Sequence, residues 1–429
     1  MPDWSARLNE LAVAAEVPGA VLGIWQDGAT TITPYGLLNT ATGVETTADS
    51  LFQIGSVSKP WTGTMIVQLA AEGRLQLDDP VVKLLPEAPI DPRITVRHLL
   101  THTSGVDGDL FTDTGRGDDC LERYVALLAD VEQLFEPGTA YSYCNAGFVV
   151  LGRLIEVLDG RTWDESLRTR LVEPLGLTHT VTLPEEAILY RAARGHTAED
   201  GSPVKTWQLP RSIGPAGLIA ASADNLLEFA RMHLDDEKYA GMQEPQVPFA
   251  GGIGGFIDLG LTWRIYDWDG RRIFGHDGST ISQTAFLRVD PEARLIMCLL
   301  TNSGNGTRLF EPLASEVFQH YVGVSHPAAP QPVDGPVDGA VDDRNVGRYE
   351  RASVRLDVVR RADRLVLTEQ ATGDRLAFAE EPVHEYDVLP TEPLDGDHFV
   401  TRYSPEHPWV PLTFTPTHLF TSGRVTPRR

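Results

Sequence analysis

The chain has 429 residues, with 36 Lys and Arg against 60 Asp and Glu, a formal net charge of −24 at pH 7. That balance argues against a nucleic-acid partner and against an anionic membrane surface; it reads mainly as a solubility feature, with a bias toward cationic substrates as the sharper alternative. The length points to two or three structural units with enough chain to bury a sizeable core.

Lysine occurs only at Lys59, Lys83, Lys205 and Lys238, so arginine carries nearly all the positive charge. Cys120, Cys144 and Cys298 have no CxxC spacing and give no disulfide framework. The first residues lack a basic stretch followed by an apolar run, and no run approaches the ~20 residues of a membrane span. A cytoplasmic location is therefore expected. No HExxH pattern or Cys/His cluster supports a metal, and no cofactor is expected.

Trp4, Leu8, Leu11 and Ala15 have helical spacing, so the chain opens with an amphipathic helix. Residues 20–25 and 30–34 read as strands joined by the turn Asp27-Gly28. Helical patterns dominate from residue 59 to about 234, clearest over 146–158 and 224–234. Strands return at 261–266 and 272–274, and 285–289 and 295–300 form a hairpin across Asp290-Pro291-Glu292-Ala293. A helix over 307–321 closes this unit. Strands at both sequence ends with helices between them predict an α+β (α/β) domain over 1–323, with an antiparallel sheet packed on a helical region. Residues 324–343, rich in Pro, Gly, Ala and Asp, read as a linker. Short alternating runs at 355–358, 364–368, 376–378, 399–403 and 412–414 then predict a small antiparallel barrel over 344–429.

The first chemical motif is Gly55-Ser56-Val57-Ser58-Lys59-Pro60, followed by Trp61, Met65 and Leu69 on one helical face. Ser56 stands at the start of a helix that tolerates Pro60 in its first turn. Ser56 and Lys59 are three apart and share a face. A serine hydroxyl is a weak nucleophile until a base removes its proton. Lysine can be that base only if its pKa falls from ~10.4, and burial and the positive helix terminus both favour the neutral amine. The plainer reading is a helix cap followed by a surface lysine. Ser58 is the competing serine, without a lysine three residues on.

Tyr143-Cys144-Asn145 precedes the helix from Ala146. A tyrosine can relay a proton to a leaving group once cations lower its pKa. Asn145 can hold a substrate amide or fix Lys59. The plainer reading of Tyr143 is a buried tyrosine with a satisfied hydroxyl. Cys144 has no evident His or Asn partner for nucleophilic work. In Gly275-His276-Asp277-Gly278-Ser279, the glycines let a substrate approach the backbone, and an N–H at the strand edge can serve an oxyanion. His276, His98 and His102, each taken alone, read as structural.

These three motifs, in this order, resemble the serine β-lactamase and penicillin-recognising superfamily, in its class C-like serine hydrolase branch. The resemblance covers roughly residues 10–325 and extends to the stretches 51–59, 95–105, 137–145, 174–177, 214–224 and 276–279. It implies a serine β-lactamase/DD-peptidase-like fold, with an antiparallel sheet, flanking helices and a helical lobe. It implies that Ser56 forms the acyl-enzyme, that Lys59 and Tyr143 share proton transfer with either as base, and that His276 completes the catalytic set. The backbone N–H groups of Ser56 and Ser279 would form the oxyanion hole, and Asn145 and Gly278 would contact substrate. Class C β-lactamases carry lysine where this chain has His276, and no deacylating glutamate of the class A kind is evident, so fast β-lactam hydrolysis is not supported.

The second domain is similar to the lipocalin-like barrels of some members. Its end, Phe420-Thr421-Ser422-Gly423-Arg424, resembles stand-alone thioesterases that release and cyclise nonribosomal peptides. Those use a near-terminal arginine for a substrate carboxylate, which implies such a role for Arg424; the plainer reading is a solvated arginine. The expected function is a serine hydrolase/acyltransferase on esters, thioesters or amides, leaning to a cyclising thioesterase for peptides with a D-configured C-terminal residue. Its partner would be a small-molecule or peptidyl (thio)ester, free or carrier-bound. An intracellular esterase or D-stereospecific peptidase/amidase is the alternative, and a β-lactam- or peptide-binding sensor without turnover is the alternative from another class.

Overall fold

The computed structural model describes residues 2–249, 253–333, 343–362, 364–377, 383–392, 397–402, 404–405 and 407–429. The long helices are α1 (Trp4–Ala14), α2 (Ser58–Ala71), α3 (Asn145–Asp159), α4 (Ala223–Asp235) and α5 (Gly306–Val322). The first domain's strands are β1 (Gly19–Gln26), β2 (Ala29–Asn39), β3 (Val44–Glu45), β4 (Phe52–Gln53), β5 (Thr180–Val181), β6 (Ala220–Ala221), β7 (Val247–Pro248), β8 (Phe256–Leu259), β9 (Arg264–Trp268), β10 (Arg271–Ser279), β11 (Thr284–Asp290) and β12 (Leu295–Thr301).

Nine of these strands form one antiparallel sheet in the order β3-β2-β1-β12-β11-β10-β9-β8-β7. Strand β12 reads as an unbroken apolar run because both its faces are covered. Ile296, Cys298 and Leu300 join the core that includes Leu226, Phe229 and Ala230 of α4. The alternate residues Leu295, Met297 and Leu299 join the core that includes Leu309, Leu313 and Val317 of α5. β4, β6 and β5 make a small separate sheet beside the nucleophile turn.

Helix α2 is apolar on most sides, as a helix buried all round must be. Ser58 through Ile66 are buried without a break, and Trp61 stacks on Phe229 of α4 with centroids 3.9 Å apart. Met65, Ile66 and Leu69 are fully buried, each contributing about 1.5–3 kcal/mol of transfer free energy. This anchoring fixes the N-terminus of α2, where Ser56 and Lys59 lie.

The C-terminal unit has eight strands in sequential antiparallel order: β13 (Gly347–Arg351), β14 (Val354–Arg361), β15 (Arg364–Ala371), β16 (Val383–Pro390), β17 (His398–Thr401), β18 (Val410–Phe414), β19 (His418–Thr421) and β20 (Arg424–Pro427). A bridge between Tyr349 and Arg428 brings the last strand to the first and nearly closes the barrel. Tyr349, Leu356, Leu367, Phe399, Leu412 and Phe414 belong to its core. Among the described residues no helix is long and apolar enough to cross a membrane.

Two sequence expectations shift. The strand expected over 261–266 begins only at Arg264, because Gly260 N–H turns back to Trp263 O (2.8 Å) and Thr262 takes φ of +72°. The run expected over 376–378 is instead the end of a helical turn, Gly373–Ala377, and Phe378 lies outside the described residues, as does Tyr403 at the end of another expected strand. β7, β8, β13, β16, β19 and β20 were not legible as strands.

Candidate active site

Ser56 sits in the tight turn Gly55–Val57 that leads into α2. Gly55 has φ of +51°, and a Cβ there would lie 2.5 Å from Ser279 N. A Cβ on Gly278 would lie 1.9 Å from Ile54 O and 2.9 Å from Ser56 N. The two glycines thus let the end of β10 lie flush against the Ser56 turn, which brings the backbones of Ser56 and Ser279 side by side.

Lys59 Nζ lies 3.0 Å from Ser56 Oγ and donates to Ala216 O at 2.8 Å. The side chain is fully buried, and its Nζ stands 4.7 Å from the Tyr143 ring centroid. Burial, and then the nearby Arg424, push its pKa well below 10.5, with Asp109 opposing and Arg264 adding to the fall. The amine is thereby held toward the neutral form that can accept a proton from Ser56.

Tyr143 behaves differently from the sequence expectation that cations would lower its pKa. Burial dominates and raises it; Arg264, the Ser56 hydroxyl and Arg424 favour the phenolate but do not outweigh burial. Its hydroxyl is buried without a regular hydrogen-bond partner. The neutral ring of His102 stacks on Tyr143 with centroids 4.3 Å apart, and His102 Nδ1 accepts Cys144 N–H at 3.0 Å. His102, read from sequence as structural, therefore positions this segment.

Asn145 opens α3, but its amide does not fix Lys59: Nδ2 donates to Asp109 Oδ1 at 2.8 Å. Arg424 reaches the same carboxylate from the barrel, with Nε 2.5 Å from Oδ2 and Nη2 3.3 Å from Oδ1. Arg351 adds a third contact, Nη1 to Oδ2 at 2.6 Å. Arg424 is thus no solvated terminal residue, since its guanidinium also lies 4.7 Å from the Tyr143 ring centroid. Burial would raise the Asp109 pKa, but Arg424 and Arg351 outweigh it and hold the carboxyl well below its usual range.

His276 is buried on β10, its Nδ1 2.6 Å from Asp277 O, and burial followed by Arg264 drives its pKa well below 6.5. It is a neutral imidazole with its ring centroid 6.5 Å from that of Tyr143. Ser58 is turned away: its Oγ accepts Ile219 N–H at 3.1 Å. Cys144 caps α3 by accepting Gly147 N–H, and burial pushes its thiol up to about 12. His98 is part of a helix cap, accepting Thr95 N–H at Nδ1.

Ser56, Tyr143, Asn145, Gly278, Ser279 and Arg424 line one cleft of about 610 Å³. Lys59 and His276 lie buried behind its wall. Sequence reasoning missed Asp109, Arg264 and Asp277. Asp277 takes Arg264 at 2.9 Å and Arg288 at 2.6 Å. The two carboxylates of Asp107-Gly108-Asp109, one residue beyond the 95–105 stretch, were the available signal for the first.

Residues 6–321 match the family described as Beta-lactamase. The chain is 41% identical to penicillin-binding protein 4 of Amycolatopsis lactamdurans, over 77% of this chain and 94% of that one. It is 29% identical to a D-aminopeptidase of Brucella anthropi over 61% of this chain and 52% of the relative, so it spans about half of that protein. In three dimensions it is similar to the crystal structure of SurE, with a TM-score of 0.80, 29% identity and coverage of 99% and 98% of the two chains. The structure of SurE with D-Leu gives 0.78 at the same identity and coverage. The chain belongs to the beta-lactamase family, whose members are serine hydrolases.

Proposed function

We propose that this protein works through an acyl-enzyme on Ser56, with Lys59 as base and Tyr143 as a protonated relay. The observation that carries the proposal is the buried Lys59 Nζ 3.0 Å from Ser56 Oγ. Ser56 Oγ attacks the acyl carbonyl and passes its proton to Lys59. The Oγ–C bond forms, the bond to the leaving group breaks, and the leaving group takes a proton through Tyr143. The Ser56 and Ser279 N–H groups would receive the oxyanion. Water or an amine then attacks the ester carbon and returns Ser56.

Within that chemistry the favoured reading is a thioesterase that releases and cyclises a nonribosomal peptide with a D-configured C-terminal residue. It would act in the cytoplasm on a carrier-bound thioester. The likeness to SurE supports this, because it runs through the barrel as well as the catalytic domain and one of those structures contains D-Leu. Arg424 supports it too. Three of its N–H groups engage Asp109 and Ser422, which leaves about two of the five for a substrate carbonyl or carboxylate. The D-aminopeptidase relative favours a second reading, a D-stereospecific peptidase or esterase with the same residues. The penicillin-binding relative favours a third, a protein acylated without turnover.

Mass spectrometry separates them. A peptidyl thioester with a D-configured C-terminus is incubated with the enzyme and with Ser56→Ala. A cyclic product, roughly 18 Da lighter than the free acid because intramolecular attack excludes water, lost in the variant, supports the cyclase. Linear acid alone moves the assignment to the hydrolase. A persistent adduct on Ser56 with no product moves it to the sensor.

A further inference from the structure

The cleft extends well beyond Ser56. Its wall passes from Ser279 to Asp277 along β10, crosses to Phe286 through the register pair Asp277–Phe286, and continues through the Phe286–Phe310 stack at 4.2 Å to Glu311 of α5. Pro408 and Trp409 of the barrel share a smaller surface hollow with Glu311. Among the described residues Glu311 has no ion-pair or hydrogen-bond partner. None of the undescribed residues carries a basic side chain that could supply one.

Nearby cations are engaged elsewhere. Arg288 is held by Asp277 at 2.6 Å, and Arg308 reaches Glu16 at 3.2 Å. Arg402 lies over the Trp409 ring at 4.3 Å and donates to Pro405 O at 3.1 Å. Burial lowers the His326 pKa to about 4, so that ring is neutral near pH 7. Charged side chains sit in apolar surroundings at a cost unless paired. Among the described residues nothing pairs the half-buried Glu311, which leaves its carboxylate open to a cation from outside the chain.

We infer that Glu311 is the recognition element for an ammonium group on the acyl substrate, at the end of the cleft remote from Ser56. The inference rests on the acyl-enzyme reading for its substrate class. At the Ser56 end the lining guanidiniums are those of Arg264 and Arg424 beside Tyr143; Arg288, neutralised by Asp277, lies further along over the Phe310 ring, and Glu311 follows Phe310. The cleft is therefore polarised, with its cationic end at the acyl carbon and its anionic end beside aromatic and proline walls that suit an ammonium. Burial alone raises the Glu311 pKa above 4.5, a penalty that an arriving cation relieves. The ammonium is a basic side chain, or the free N-terminus of the peptide as it binds before acylation; in the second case it must leave Glu311 as the neutral amine to attack the Ser56 ester.

The probes are N-acetylcysteamine thioesters of one peptide, carrying ornithine or norleucine at an internal position, each with a free or an acetylated N-terminus. In the wild type, kcat/KM should favour the charged member of one pair by about tenfold, the step that one charge-assisted contact supplies. The pair that shows it identifies the source. In Glu311→Gln the charged-to-neutral ratio should fall toward one, and Glu311→Asp should restore part of it. A wild-type ratio of one in both pairs, or a ratio unchanged in Glu311→Gln, overturns the inference. The same peptides as free acids, titrated into Ser56→Ala by calorimetry, read the preference without turnover. Charge preference there with no thioester turnover in the wild type refutes the acyl-enzyme reading alone. Turnover without charge preference refutes the Glu311 assignment alone.

Discussion

The backbone N–H of Tyr143 donates to the carbonyl of Gly423 at 2.8 Å, so a turn of the barrel holds the residue that faces Ser56. The neighbouring Val425 N–H donates to Ser142 Oγ at 3.1 Å, which doubles the grip. Gly423 has φ of +75°, and the turn at Ser422 and Gly423 lines the cleft. A chain ended before β19 should therefore lose at least about 100-fold in kcat/KM on a nitrophenyl ester, the scale of an ångström-level misplacement of a catalytic group. Retention of more than about a tenth of the rate would show that Tyr143 keeps its place without the barrel.

Asp109 ties three elements together, taking Asn145, Arg351 and Arg424. Asp109→Ala leaves two half-buried guanidiniums without their shared carboxylate, although Arg351 keeps Asp107 nearby, and should cost up to about 3 kcal/mol in urea unfolding. Arg424→Ala alone should cost less, because Arg351 still neutralises Asp109. The double variant Asp109→Ala with Arg424→Ala should be less destabilised than the sum of the singles. Additive losses would mean that the pair is not coupled.

Lys59 and Tyr143 are displaced in opposite directions, the first down and the second up. The base must be neutral, so kcat/KM should hold level as pH falls from 10.5 and drop only on reaching the lowered Lys59 pKa. The Tyr143 phenol should give no alkaline limb at or below its ordinary value of 10. In the unfolded chain Lys59 keeps its proton up to about 10.4. The native state binds fewer protons in the interval between the lowered and ordinary values, so stability rises with pH across it. Lys59→Met should remove that slope and lower acylation by about 10²–10⁴-fold, read by stopped-flow ester cleavage and unfolding at several pH values. An acid limb near pH 10 would sink the assignment.

Gly278→Ala tests the contact between β10 and the nucleophile turn. The new Cβ would sit 1.9 Å from Ile54 O, a backbone atom that cannot swing aside. The strand must withdraw, separating Ser279 N–H from Ser56. The expected result is a loss of about 10²–10³-fold in kcat, comparable with removing an oxyanion donor, with a smaller effect on KM. A variant with near-normal kcat would place the oxyanion elsewhere.

The catalytic core was legible because its signals are local. Ser56 and Lys59 share a face by helical spacing alone, and the buried strands 20–25, 285–289 and 295–300 stand out by apolar content. What escaped depends on contacts far apart in sequence. Asp109 meets Arg424 across 315 positions, and no local pattern joins them. Short or heavily charged strands such as β13 and β16 lack the alternation that marks a half-buried strand. Tyr143 was misread in its pKa because burial, which sequence does not display, outweighs the cations that the chain makes obvious.

Asp107 offers a pH test of the same domain boundary. Its carboxylate accepts Ala352 N–H at 2.7 Å from the barrel. Burial raises its pKa from 3.8 to about 6, with Ala352 N–H and Arg351 opposing the rise. Between those two values the folded chain holds a proton that the unfolded chain has released, so the native state loses stability as pH rises through the interval. Above pH 6 the loss is complete, on the order of 2–3 kcal/mol for a shift of this size. Asp107→Asn keeps an acceptor for Ala352 N–H and removes the charge. It should raise Tm at pH 7 and leave it nearly unchanged at pH 4, so the difference between the two melting curves should open across the interval. Parallel curves from pH 4 to pH 7 would show that Asp107 titrates normally and that this contact is not strained by charge.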